Sequence, residues 1–173
     1  ADGILLSELS PCRGVGDALS AVGTDINGQS WSNPPSMGCD EWYPEPASAG
    51  FPVVDWKAPN GAISLKAVAG GSEPLSYQWL FEGTAVQAGG LYSNVNTPNL
   101  RVTVSDPAVA GAYQLVATNA YGMATGRVCR LELHFVSADG VSPTAPYTNW
   151  TTAAETIQDA VDVACYNEVV VVT

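Results

Sequence analysis

The sequence predicts a mainly β chain organised around one antiparallel β-sandwich. Two observations carry this. Between residues 51 and 134, short β-rich runs alternate with turn residues about every ten positions, at 62–68, 75–81, 100–104, 112–118 and 127–134. That spacing marks an antiparallel sandwich. Near the end of the stretch, Leu131, Leu133 and Phe135 alternate with Arg130, Glu132 and His134, which predicts one buried and one wet face. The flanks lack the pattern, so three segments are expected: 1–50, 51–134 and 135–173.

Composition narrows the function classes. The 173 residues suffice for one domain with extensions, or for two small ones. Asp and Glu number 17 against 6 Lys and Arg, a net charge of -11. Neutralising phosphates needs clustered Lys and Arg, so nucleic acid and anionic membrane surfaces are excluded as partners. Solubility is the plain reading of the acidity, and calcium binding is the sharper one. No apolar run approaches the roughly 20 residues that span a bilayer, so no membrane insertion is expected. The start, Ala1-Asp2-Gly3-Ile4-Leu5-Leu6, is not a signal peptide and is expected to lie inside a longer parent chain.

The first segment is punctuated by Ser10-Pro11, Arg13-Gly14, Asn27-Gly28 and Asn33-Pro34-Pro35, which forbid a long helix or a central strand. It needs a disulfide or a neighbouring surface. Cys12, Cys39, Cys129 and Cys165 form no C-x-x-C pair and allow three pairings. Cys12 with Cys39 is the first choice, since closing that loop would stabilise it by roughly 3–4 kcal/mol. Cys129 and Cys165 are expected near each other at most. An even count in a Lys-poor chain fits an oxidising compartment. Residues 44–50 read as a linker. In the last segment Thr152 and Glu155 have capping-box spacing, which predicts a helix over 152–164. Its apolar face is Ile157, Ala160, Val161 and Ala164, its solvated face Asp159 and Asp162, and its stop Asn167. Val169–Val172 is an all-β-branched run that predicts a strand buried on both faces.

Three groups of residues carry resemblances. Leu75-Ser76-Tyr77-Gln78-Trp79, Asn99-Leu100-Arg101-Val102 and the run from Ala110 through Tyr113 and Leu115 to Asn119 resemble bacterial immunoglobulin-like domains. The resemblance implies that Trp79 is the core tryptophan of strand C and Tyr113 the tyrosine corner of strand F. The sequence departs from the antibody pattern. Leu115 holds the second-cysteine position, strand B offers Leu65, Ala67 and Val68, and Val109 replaces the usual acidic residue. An aliphatic core around Trp79 is expected. Ser10-Pro11-Cys12-Arg13-Gly14-Val15-Gly16, Gly23-Thr24-Asp25-Ile26-Asn27-Gly28 and the run from Pro34 through Cys39 to Glu41 resemble the closing segment of right-handed parallel β-helix surface proteins. That likeness makes Ile4-Leu5-Leu6 a final rung. Phe135-Val136-Ser137, Pro146-Tyr147-Thr148-Asn149-Trp150, Ile157-Gln158-Asp159-Ala160-Val161 and Val169–Val172 look like the opening of another such β-helix, its capping helix and first rung.

Chemical candidates are few. His134 is expected on the solvent side of a strand, with no nucleophile beside it. Gly14-Val15-Gly16 lacks the third glycine of a dinucleotide loop. Asp40 and Glu41 are adjacent and face opposite ways if extended, while Asp159 and Asp162 share a solvated helix face. Asp25 and Asn27 open like a calcium loop but lack the distal ligand, and an Asn-Gly turn explains them as well. Trp31, Trp42, Tyr43 and Trp56 could stack on sugar rings or pack between modules. Asn149-Trp150-Thr151 fits a glycosylation sequon, discounted for a bacterial chain.

The expectation is therefore a non-catalytic structural, spacer or adhesive module of a secreted or cell-surface bacterial protein. Other modules of the parent chain would be its partners, and it would need no cofactor. The alternatives are a polysaccharide-binding module and a fragment of a β-helix polysaccharide lyase or hydrolase.

Overall fold

A computed structural model describes residues 10–37, 44–55, 61–165 and 168–173. Strand formation follows the period-two apolar pattern. In chain order the strands are β1 (Ser48–Ala49), β2 (Val53–Asp55), β3 (Ala62–Lys66), β4 (Ala69–Gly70), β5 (Ser76–Phe81), β6 (Thr84–Ala85), β7 (Tyr92–Ser93), β8 (Asn99–Thr103), β9 (Gly111–Asn119), β10 (Gly122–Thr125), β11 (Cys129–Leu131), β12 (Leu133–Val136) and β13 (Val169–Val172). One α-helix, α1, spans Ile157–Val163 among the described residues.

Two antiparallel sheets face each other. One has the order β2-β3-β8-β7 and the other β10-β9-β5-β6, with β11 also paired to β9. Ile63 lies opposite Val102 and Leu65 opposite Leu100 in the first sheet, and Trp79 lies opposite Leu115 in the second. All six are buried in one core with Tyr113 and Leu131. In β9 every second residue from Gly111 to Ala117 is buried, as alternation requires. β1 pairs with β4, and the Glu45 carbonyl accepts from Ser72 N at 3.0 Å and Asn119 Nδ2 at 2.8 Å. Residues 44–50, expected as a linker, are thus attached to the sandwich. Proline-rich composition marks them as extended, and extended chain also serves as a sheet edge.

The predicted strand over 127–134 is broken at Glu132. β11 stays in the sandwich, whereas β12 turns away and pairs in parallel with β13, Leu133 opposite Val169 through Val136 opposite Val172. Leu133 and Phe135 remain in the sandwich core together with Ala153, and Val169 and Val171 pack against it. On the other face Val136, Ala154 and Ala160 form a second small cluster with Tyr147 and Val170. Trp150 bridges the two parts: its ring meets Phe135 edge-on at 4.4 Å, and its Nε1 donates to the Ser105 carbonyl at 2.9 Å.

Three expectations for this region need correction. The helix starts five residues later than predicted. Asn149 caps a 3-10 turn over Trp150–Thr152, and Ala154 then bridges Val136, so Thr152 is already used. Thr156 caps α1 instead, exchanging bonds with Asp159 at the same three-residue spacing. The predicted apolar face is buried only at Ala160, with Ile157 and Val161 about half exposed, because the helix covers a parallel pair just two strands wide. For the same reason β13 is half-buried and Val172 exposed, rather than buried on both faces. The predicted stop, Asn167, lies outside the described residues.

Residues 10–37 hold only a 3-10 turn over Ala18–Ser20 and a bridge from Thr24 to Ser30. Backbone bonds zip the two ends of this segment: Met37 N donates to the Cys12 carbonyl and Gly16 N to the Pro35 carbonyl, both at 2.7 Å.

Candidate functional site

The sandwich centre is built from the residues singled out in the sequence. Trp79 is fully buried and its Nε1 donates to the Thr97 carbonyl at 2.8 Å, which ties strand β5 to the approach of β8. Tyr113 is also fully buried, and its hydroxyl donates to the Val109 carbonyl, four residues back, at 2.8 Å. Burial, then the neighbouring Tyr92 hydroxyl at 3.3 Å, raises the Tyr113 phenol well above its ordinary range, so it is a fixed donor. Leu115 and, on strand β3, Leu65 are fully buried, and Ala67 after it is buried too, so aliphatic side chains fill this part of the core. The tyrosine corner, the core tryptophan and the two sheet orders together decide the fold. The sandwich is immunoglobulin-like.

No family model matches the chain, and no curated protein matches it. Among solved structures it is similar to titin kinase with its flanking domains, at 13% identity and a TM-score of 0.45. That likeness covers 54% of this chain and only 18% of the titin chain. It is also similar to a chain of the Titin M10-Obscurin like 1 Ig mutant complex, at 25% identity and a TM-score of 0.41, over 51% of this chain and 92% of that one. For the Dscam1 Ig7 domain the identity is 22% and the TM-score 0.37, over 52% and 98% respectively.

Among the described residues the remaining candidates do not converge on one site. Trp31 is half-buried beside an open cleft of about 280 Å³ that Asp17, Pro35, Ser36 and Met37 also line. Its Nε1 is buried without a hydrogen-bond partner. Trp42, Tyr43 and Trp56, and the pair Asp40 and Glu41, lie outside the described residues. Asp25 is buried, and its Oδ1 accepts from Asn27 N at 2.9 Å and Gln29 N at 2.8 Å. Gly28 adopts a φ of 80°, so this loop has the Asn-Gly turn geometry that a glycine permits. Among the described residues no group of three or more His, Cys, Asp or Glu side chains is placed to hold a metal ion. Asp159 and Asp162 lie on the exposed face of α1, bonded to Thr156 and Gln158. Cys12, Cys129 and Cys165 form no disulfide with one another, and Cys39 lies outside the described residues. Cys129 is buried in the sandwich, which raises its thiol, while Cys165 is exposed beyond α1. No helix of the described residues is long and apolar enough to cross a membrane.

His134 is the main surprise. Expected on a wet face, it is 5% exposed. β12 has both faces covered, one by the sandwich core and the other by the chain that returns through α1 to β13. His134 Nε2 lies 2.8 Å from Glu168 Oε2, and Nδ1 lies 2.7 Å from the Pro146 carbonyl. The Cys165 amide, and then His134, hold the Glu168 carboxyl below its ordinary range. Glu168 was not singled out in the sequence, and Pro146 stood out only within the run that resembles a β-helix opening. The available signal was an acidic residue directly before a run of four valines, where nothing else explains a charge.

Proposed function

We propose that this chain is a non-catalytic structural or spacer module of a secreted or cell-surface bacterial protein, its sandwich set between parallel β-helix segments. One observation carries the reading: the last sandwich strand leads, after Glu132 alone, into a parallel strand pair that shares the sandwich core. A parallel pair needs a long crossover, and here α1 lies within it, as expected of the first coil of a solenoid. β13 has one paired edge among the described residues, which leaves its other edge for a further parallel strand. The test is a longer chain that continues past Thr173. The reading expects amide protection of Val169–Val172 to rise and a parallel neighbour to appear beside β13 by nuclear Overhauser contacts. An unchanged β13 edge would overturn it.

In the N-terminal segment the reading includes a Cys12–Cys39 bond. Support comes from the Met37-to-Cys12 backbone bond, which brings the chain two residues before Cys39 alongside Cys12. Non-reducing peptide mapping of protein secreted to an oxidising compartment tests it, and free thiols at both positions would refute it.

A second reading, polysaccharide binding, is favoured by the open cleft that Trp31 lines together with Asp17 and Ser36. A glycan array separates the two. Retention that is lost in Trp31→Ala supports binding, and no retention leaves the spacer.

A further inference from the structure

His134 is the chain's single histidine, and both of its ring nitrogens meet atoms that can only accept. The Pro146 carbonyl has no proton to give, and neither does an ionised Glu168 carboxylate. Only a ring with hydrogen on both nitrogens donates to both. Either neutral tautomer satisfies one acceptor and turns a lone pair toward the other. The three groups come from separate segments: β12, the loop before Trp150–Thr152, and the link between α1 and β13. Glu168 directly precedes β13, and its Oε2 also accepts from Cys165 N at 2.6 Å, so the ring holds both ends of that link.

We propose that His134 is a proton-operated latch that fastens the arm formed by α1 and β13 onto β12. The latch is closed while the imidazole carries both protons and loosens when it loses one. Among the described residues the other titratable groups on or beside the packed elements are Glu132 just before β12, Tyr147 on the loop, Glu155 just before α1, Asp159 and Asp162 on α1, and Cys165 in the link. Glu132 faces Arg130 at 3.9 Å, and the two aspartates bond to Thr156 and Gln158. β13 contributes none. Among all of these, Glu168 alone lies within hydrogen-bonding distance of the ring. The proposal does not depend on the spacer reading.

A single histidine makes the test clean, because its imidazole resonances need no assignment. The ring signals and the amide protection factors of β13 and β9 are followed together in the full chain, from about pH 5 to 9. As the ring loses one proton, protection of Val169–Val172 should fall by roughly 10- to 100-fold, the scale of one charge-assisted hydrogen bond. Protection of β9 should not change. His134→Gln should abolish the pH response. Glu168→Gln should flatten it, because an amide can donate to or accept from either ring state. Constant β13 protection while the ring titrates would overturn the proposal. So would an equal loss in β9, or a wild-type response in either variant.

Discussion

Replacing Trp79 with alanine tests the sandwich core at its largest buried residue. Trp79 has no exposed surface and lies opposite Leu115, with Leu65, Leu100 and Val102 in the same core. Truncation removes the whole indole and leaves a cavity that rigid neighbours on two sheets fill only in part. Such changes cost about 3–5 kcal/mol. The lost Nε1 bond to Thr97 adds little, because Thr97 is exposed and its carbonyl can turn to water. At about 4–8 °C per kcal/mol for a domain of this size, Trp79→Ala should melt at least 12 °C lower. Trp79→Phe keeps most of the apolar volume and should cost about 1–3 kcal/mol. Urea unfolding followed by far-ultraviolet circular dichroism measures both without relying on tryptophan emission. A loss below about 1 kcal/mol for the alanine variant would mean that Trp79 is not central, and the strand assignment would fall with it.

Three further outcomes are expected. Tyr113→Phe leaves the fully buried Val109 without its donor and should cost about 1–3 kcal/mol; a change within error would show that the corner bond adds nothing. An isolated chain of residues 44–136 should be more stable in urea than 51–136, by roughly 2 kcal/mol, since it keeps the Glu45 and Gly50 backbone bonds; equal midpoints would make 44–50 a true linker. Glu168 is held below its ordinary value of 4.5 in the folded chain, so its contribution is complete above that value. It is lost as pH falls through the lower folded value. Arm protection should therefore also decline in acid, and Glu168→Gln should remove that decline, an expectation that fails if both proteins lose protection alike.

Where contacts follow a local period, the residues could be read directly. Trp79, Tyr113 and Leu115 lie in runs whose alternation places them inward, and the corner tyrosine sits two residues before the core leucine. The misreadings arose where a local pattern had two equally good solutions or where the partner was distant. Thr152 and Thr156 both precede an acidic residue by three positions, and only the bridge from Ala154 to Val136 decides between them. His134 alternates with core leucines exactly as a solvent-facing residue would, and its partner Glu168 is 34 positions away across a parallel pairing that has no local signature. Residues 44–50 contain proline and alanine in linker proportions, yet the atoms that attach them are backbone carbonyls and amides, which sequence composition does not encode.

The parallel pairing of β12 and β13 governs how the molecule would respond to tension. β12 is anchored to the sandwich at its N-terminal end, through Glu132 and β11, whereas a pull from beyond Val172 acts on the C-terminal end of β13. In parallel strands these are opposite ends of the pair. The pull therefore slides one strand along the other and loads every ladder bond at once. An antiparallel hairpin pulled from its two free ends would instead unzip one bond at a time. Extension by single-molecule force should find the arm yielding in one step at high force, with the side chains of Leu133, Phe135, Val169 and Val171 dragged through the core as it gives way.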